Sequence, residues 1–164
     1  MEIDFASIII GLASIAIFLV PVGYFQIKEK NNIKNAKRQF LETAQDLGFQ
    51  AGEFDILKNR AVIGIDKNRE ELLYVNKTGH NLIQLVDVEQ PGQFKSSQTV
   101  ADDSGTEQLV REIGLQLKMR EGGRIRLPVF EGRDGTQTGN EQLIIQDWVH
   151  KIDSAKKELS ESGA

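Results

Sequence analysis

The residues that most often carry catalysis or bind metals are few in this sequence. The 164 residues include no cysteine and two histidines, His80 in a predicted turn and His150 in a predicted helix. Neither fits a metal-binding spacing such as HExxH, and no glycine-rich phosphate or dinucleotide loop occurs. Asp102 and Asp103 are adjacent, whereas a calcium loop needs carboxylates at alternating positions. We expect no enzyme activity, no cofactor, no metal site and no small-molecule substrate.

One cluster of residues has the chemistry to bind a partner. It flanks Gly122-Gly123, a pair that predicts a hairpin turn, and shares the face opposite the predicted core. Its members are Lys118, Arg120, Arg124 and Arg126. The cluster suits an anionic lipid headgroup or an acidic partner. The alternative is a solvated face balanced by Glu112, Glu121 and Glu131, because surface charge alone contributes little energy.

The overall charge argues against nucleic acid as the partner. Residues 39–164 contain 15 basic and 21 acidic side chains, a net charge of -6. Nucleic-acid binding requires a basic footprint over the domain.

The beginning of the chain predicts a membrane anchor. Residues 5–27 include an uncharged apolar run from Phe5 to Phe25, long enough for a helix to cross a hydrocarbon core of about 30 Å. A cleaved signal peptide is the alternative, but it has a basic start and a shorter apolar region. Small residues such as Gly11 and Ala13 would let a second membrane helix approach.

The flanking charges predict the orientation of this anchor. Residues 1–4 form an acidic tail, which we expect outside the cytoplasm. The other flank carries a juxtamembrane basic cluster of Lys28, Lys30, Lys34, Lys37 and Arg38. Basic residues near a membrane helix stay on the cytoplasmic side. We therefore expect a single-pass protein of the plasma or inner membrane, with its N-terminus outside and its C-terminal domain in the cytoplasm.

Residues 28–48 read as a basic amphipathic helix. Apolar residues recur at intervals of three and four between Ile33 and Leu47, and Gly48 is placed to cap the helix. Arg38 and Glu42 form an i,i+4 pair. The sequence leaves open whether this helix packs on the domain or on the membrane.

Residues 49–158 alternate in the manner of an antiparallel β domain. Six or seven short strands are indicated, with Pro91-Gly92 as a break and residues 101–107 as a loop. In the clearest strand, Leu109, Ile113, Leu115 and Leu117 face the core. A final helix is marked by a capping box at Thr138 and Glu141 and by buried Trp148. Residues 159–164 are expected to form a flexible tail.

This order of elements resembles a pleckstrin-homology-like (PH-like) domain, an α+β fold in which a C-terminal helix closes a β barrel or sandwich. The chain resembles a group of uncharacterised bacterial single-pass membrane proteins with a PH-like cytoplasmic domain. The segments that carry the resemblance are the anchor, the basic helix ending at Gly48, and the motifs EFDI, IGID, ELLYV, LVDV and QDWVHKI. The resemblance implies an architecture and assigns no catalytic residues.

Three functions are compatible with these features. The first is a membrane-anchored protein-interaction or scaffold module, whose partner is a membrane or cytoplasmic protein. The second is a lipid-sensing module that uses the basic hairpin. The third is an accessory subunit of a membrane complex, held through the anchor.

Overall fold

The structure, a computed structural model, describes the backbone of residues 5–102, 105–132 and 139–162. Side chains are described for residues 24–98, 109–132 and 139–162. The chain divides into two units, residues 1–35 and 36–164. Within the described part of the chain, no helix has the length and apolar character of a membrane span. The predicted membrane span is residues 5–27. Most of it falls within residues 1–23, whose side chains lie outside the described part of the chain.

The first helix, α1, covers Phe5–Leu47. It ends as predicted at Gly48, which has a positive φ of 72°. The Gly48 N–H donates to the Gln45 carbonyl, and the Phe49 N–H donates to the Ala44 carbonyl. These two bonds form a Schellman cap, which satisfies carbonyls that the helix end would leave open. The predicted Arg38–Glu42 pair is present at 3.7 Å.

Four short strands form the first sheet, and all neighbours pair antiparallel. They are β1 (Ala51–Ile56), β2 (Val62–Asp66), β3 (Glu71–Asn76) and β4 (Gly79–Gln84). All five residues of β2 are buried, so the sheet is covered on both faces at this central strand. The predicted turn around His80 is shorter than expected, and His80 lies in β4 opposite Val75.

Three longer strands form the second sheet. After a short 3-10 helix at Leu85–Asp87 come β5 (Val88–Asp102), β6 (Gly105–Met119) and β7 (Arg124–Glu131), all antiparallel. The predicted break at Pro91-Gly92 was wrong, because β5 continues through it. β5 is an edge strand, where the missing N–H of a proline costs no sheet hydrogen bond. The loop predicted at residues 101–107 was also wrong, because residues 101–102 belong to β5 and residues 105–107 belong to β6. Residues 103–104 lie outside the described part of the chain.

A β-bulge corrects the prediction for Leu109. Ser96 pairs with Glu112 and Ser97 pairs with Val110, so Arg111 is an extra residue in β6. An extra residue reverses which side chains face the core. Val110 therefore packs against the core and Leu109 is 52% exposed. Ile113, Leu115 and Leu117, beyond the bulge, are fully buried as predicted.

The two sheets face each other across the main core, and the final helix, α2 (Asn140–Ser162), packs into it. Trp148, Ile145 and Ile152 are its fully buried anchors. The fold is α+β, with two antiparallel sheets and a C-terminal helix, and neither sheet closes into a barrel. Thr138 of the predicted capping box lies outside the described residues. The helix continues into the predicted flexible tail as far as Ser162, and Leu159 still packs against the core.

A second core cluster lies on the opposite face of the first sheet. The last turns of α1 supply Phe40 and Ala44, which pack with Val62, Leu73 and Val75. The part of the predicted helix from residue 36 onward thus packs on the domain, because its apolar stripe meets an apolar sheet face.

One buried hydroxyl joins the two sheets. The Tyr74 hydroxyl donates to the Pro128 carbonyl at 2.8 Å, and the Asn59 amide donates to the same oxygen at 2.8 Å. Burial raises the pKa of Tyr74 above its usual value of 10.0, with a smaller contribution from the charge of Glu131. Hydrogen bonds from Asn59 and Asn76 act in the opposite direction without cancelling the rise.

This shift predicts a loss of stability at alkaline pH. Above about pH 10, tyrosine ionises in the unfolded chain but stays protonated in the fold, so the free energy of unfolding falls as pH rises. Tyr74→Phe should make the fall between pH 9.5 and 11 shallower, at a cost of about 1 kcal/mol at neutral pH. Urea-unfolding midpoints measured across this range test the prediction. Parallel curves for the two proteins would contradict it.

Candidate interaction face

The β6–β7 hairpin forms as the Gly122-Gly123 pair predicts. Both glycines have positive φ, 93° and 88°, which side-chain-bearing residues rarely adopt. The Gly122 N–H donates to the Met119 carbonyl, and the Met119 N–H donates to the Gly123 carbonyl. The Arg120 N–H donates to the Asp87 carbonyl at 2.8 Å, so the turn is held to the connection between the sheets.

The four predicted binding residues are brought together at this end of the second sheet. Lys118 and Arg124 are direct cross-strand partners, Arg126 follows Arg124 on the same face, and Arg120 lies at the turn. All four are exposed. Lys118 pairs with Glu89 at 2.8 Å, an exposed pair that contributes little to stability. The arginines therefore supply most of the charge that is open to a partner.

Arg126 is positioned by a contact that the sequence analysis missed. Its guanidinium lies 5.3 Å from the centre of the Phe94 ring. Phe94 is buried and lies against Gly114, where a side chain would meet the ring. A glycine inside a strand pattern is the sequence signal for such a close approach. The stacked arginine loses less freedom when it binds, because its orientation is already restricted.

We call this surface the outer face: the side of β5, β6 and β7 turned away from the main core. Neither core cluster of the described residues includes a side chain from it. At the end opposite the hairpin turn, Glu112 of β6 lies directly across from Glu131 of β7. Of the glutamates predicted to balance the basic cluster, Glu112 and Glu131 are thus at a distance along the sheet, whereas Glu121 lies in the hairpin turn itself.

The juxtamembrane basic cluster is distributed over both units. Lys28, Lys30 and Lys34 are exposed on the helix of the first unit. In the second unit, Arg38 pairs with Glu42, and the Lys37 ammonium lies 5.3 Å from the Phe54 ring centre.

A groove of about 260 Å³, which no sequence pattern predicts, lies between the first sheet and α2. Its charges are paired. Lys151 lies 2.9 Å from Asp147 and 3.4 Å from Glu53, and Arg69 lies 2.8 Å from Glu158. Partial burial alone would lower the pKa of Lys151, but these carboxylates together with Asp55 raise it. Because its cations already have partners, the groove serves to join α2 to the sheet.

Trp148 belongs to the same junction. Its ring is fully buried, and the indole N–H donates to a carboxylate oxygen of Asp55 at 2.9 Å. Lys151 lies over the ring, 4.8 Å from its centre. The predicted role of Trp148 as a buried anchor is confirmed.

The remaining candidates for chemistry stay apart. His80 is exposed on the edge strand β4, and His150 is exposed on α2 beside the groove. The side chain of Asp102 and the whole of Asp103 lie outside the described part of the chain. Within that part, no three histidine or acidic side chains converge as metal ligands would.

The outer face therefore offers exposed, partly preorganised cations, an arrangement that is suited to binding an anionic partner. Its properties follow from its own charges and packing. Comparison of the chain with known protein families, curated proteins and solved structures gives no match.

Proposed function

We propose that this chain is a non-catalytic, membrane-anchored interaction module with a PH-like domain on the cytoplasmic side. Its domain binds a carboxylate-rich protein surface through the basic end of the outer face. The bound partner is thereby held at the membrane.

The architecture supports the PH-like part of this proposal. A sheet of four strands, a sheet of three strands and a C-terminal helix follow one another in the order that the resemblance implies. The helix contributes Trp148 to the core between the sheets, as a closing helix would. The uncharged run from Phe5 to Phe25 and the basic residues after it support the anchor and its orientation.

The observation that carries the binding role is the arrangement of Arg124 and Arg126. They point from the same face of one strand, both exposed, and the ring of Phe94 restricts Arg126. Arginine is the preferred cation for carboxylates, because its planar guanidinium can donate two parallel hydrogen bonds. Arg124 and Arg126 are both exposed and belong to neither core cluster, so the arginines are accessible.

The experiment is a crosslinked pull-down of the full-length chain solubilised from its native membrane. Arg124→Glu/Arg126→Glu should reduce recovery of a stoichiometric protein partner about tenfold or more, because favourable charge contacts become repulsive. Lys67→Glu/Lys77→Glu makes the same charge change at exposed turns of the first sheet and should leave recovery unchanged. Equal recovery with both double variants would contradict the proposal.

Anionic lipid is a second candidate ligand, favoured by the exposure of Arg120 and Arg124 at the hairpin tip. Each cation near an anionic bilayer contributes about 1 kcal/mol. Flotation with vesicles containing phosphatidylserine would then be lost in Arg124→Glu/Arg126→Glu and kept in Lys67→Glu/Lys77→Glu. Equal flotation of the two double variants would exclude the outer face as the lipid site.

A further inference from the structure

The last strand of the first sheet, β4, presents backbone groups at the edge of the sheet. Its neighbour is β3, and the Leu85 N–H donates to the Glu70 carbonyl at 2.7 Å, so this opposed pair is hydrogen-bonded. Hydrogen-bonded pairs alternate with non-hydrogen-bonded pairs along an antiparallel ladder. In the register of β3 and β4, the N–H and C=O groups of His80, Leu82 and Gln84 therefore point away from β3. All three residues are exposed.

The other edge strands of the domain carry features that discourage a further strand. Charged side chains, prolines, bulges and covering groups are the usual ways in which proteins block a sheet edge. β1 contains Glu53 and an irregular register, and β5 contains Pro91 and two irregularities in its register. β7 contains Pro128, whose carbonyl accepts the hydrogen bond of the Tyr74 hydroxyl. Each of these three edges is thus blocked at one point or more.

β4 has none of these features. Its sequence, GHNLIQ, contains no proline, lysine, arginine, aspartate or glutamate, and its register with β3 is unbroken. Leu82 is 37% exposed, although it lies directly opposite Leu73, which belongs to the cluster that the end of α1 buries. The cover that α1 provides therefore ends before β4. What remains is an uncharged edge with an apolar side chain at its centre.

This edge is complementary to itself. A two-fold axis perpendicular to the sheet at Leu82 would pair two copies of β4 antiparallel. Leu82 would lie opposite Leu82 of the second copy, and His80 would lie opposite Gln84 of the second copy at both ends. Each opposed pair exchanges two hydrogen bonds, so the outward N–H and C=O groups of all three residues are used. The two leucine side chains meet on one face of the joined sheet, and no like charges are opposed.

We propose that β4 is an interface between two copies of this chain, which joins their first sheets into one continuous sheet. The interface is closed, because the same strand serves both copies. A foreign peptide that adds a strand gains its specificity from pockets for alternate side chains. The groove of the first sheet lies beside β1, β2 and α2, away from β4. A second copy needs no pocket, since symmetry supplies the leucine that covers Leu82.

The size of the contact sets its strength. Six residues at about 3.3 Å each span about 20 Å, and a single pair of strands of this length buries less than the ~800 Å² per partner of a standard interface. We expect a reversible dimer with a Kd of the order of 100 µM. Because β4 contains no acidic or basic residue, the Kd should change little between low and high salt.

Sedimentation of the full-length chain in detergent micelles, at concentrations up to about 0.5 mM, measures this Kd. Leu82→Lys should raise the Kd about tenfold or more, because it brings two ammonium groups together at the axis. Leu143→Lys makes the same change at an exposed position of α2 and is the matched control. It should leave the Kd unchanged.

Gln84→Pro tests the backbone hydrogen bonds without adding charge. The φ of Gln84 is -72°, a value that proline adopts without strain. Its N–H points away from β3, so the substitution breaks no hydrogen bond of the sheet and loses only an exposed side-chain bond to Glu71. In the dimer it removes a donor at two symmetric positions. We expect little change in Tm and an increase in Kd of about tenfold or more.

Disulfide trapping gives a second, independent readout, because the chain contains no cysteine. The Cα atoms of a hydrogen-bonded antiparallel pair are about 5.5 Å apart, which suits a disulfide. Leu82→Cys should therefore form a linked dimer rapidly under mild oxidation. Lys77→Cys, in the turn between β3 and β4, is the control, since its two copies would be about 30 Å apart along the paired strands. Its crosslinking should be about tenfold slower or more.

Three results would each overturn the interface: a monomer at about 0.5 mM, a dimer that persists in Leu82→Lys and Gln84→Pro, and equal rates of crosslinking in the two cysteine variants. A monomeric chain that loses a stoichiometric protein partner in Gln84→Pro would assign the edge to a foreign strand instead. Arg124→Glu/Arg126→Glu should dimerise like the unmodified chain. Failure of the dimer therefore leaves the proposed function standing, and the reverse also holds.

Discussion

Gly114→Ala is expected to lower the free energy of unfolding by about 3 kcal/mol or more, at the upper end of overpacking effects. An added Cβ would lie 2.6 Å from Cε1 of Phe94 and 2.8 Å from the Pro128 Cα, and closer still to the Leu127 carbonyl oxygen. The Phe94 side chain can move, but the two backbone atoms belong to the paired strand β7. The clash with these backbone atoms can therefore be relieved only if β6 and β7 move apart. Urea unfolding measured by circular dichroism gives the change.

Gly92→Ala is the matched control for this prediction. Gly92 lies in β5, one strand away on the same face, and its added Cβ would contact only one atom within 4 Å. Alanine is favoured over glycine in a strand interior, because it loses less backbone entropy on folding. We expect no loss of stability in Gly92→Ala. Equal, small effects of the two substitutions would show that β6 and β7 accommodate a methyl group at Gly114.

Phe40→Ala is expected to cost about 3–5 kcal/mol, the range for removing a fully buried aromatic ring. The ring has no solvent exposure and contacts those of Phe49 and Phe54, at centre distances of 6.2 and 5.3 Å. It also occupies the space left by Gly64, where an added Cβ would approach the ring to 2.6 Å. Its removal leaves a cavity on the first sheet. Thermal and urea unfolding of the full-length chain measure the loss.

Leu41→Ala is the neighbouring control, because Leu41 is the next residue of α1 and is 42% exposed. It should cost less than about 1 kcal/mol, as expected for a largely solvated side chain. A similar cost for both substitutions would mean that the end of α1 contributes through helix formation alone. A large difference would establish that it docks through Phe40.

The two predictions concern different sides of the domain. Phe40 reports on the face of the first sheet that the end of α1 covers, and Gly114 reports on the second sheet, whose outer face carries the exposed Arg124 and Arg126. In keeping with this difference, β2 is buried throughout, whereas Arg124 and Arg126 of β7 are exposed. A sheet face covered by its own chain is unavailable to partners. The outer face, with its exposed arginines, is therefore the side of the domain to which we assign binding.

The sequence by itself determined the elements with strong local signals. Gly48 ends α1 and Gly122-Gly123 turn the β6–β7 hairpin, because few other residues adopt positive φ at low cost. Period-two alternation located the core side of β6 from Ile113 to Leu117, and the helical apolar stripe identified Trp148. The sequence also grouped Lys118, Arg124 and Arg126, because a tight turn places Lys118 opposite Arg124, and residues two apart in a strand share a face. These features depend on a few consecutive residues.

The tertiary structure alone decided features that depend on distant residues. The bulge at Arg111 reversed the alternation and exposed Leu109, and the edge position of β5 let the strand pass through Pro91. The packing of Phe94 on Gly114 beneath Arg126 joins three strands, so no single segment predicts it. The pairing of Glu112 with Glu131 likewise requires the register between β6 and β7. Register and strand order are set by the whole core, and local propensity carries no information about them.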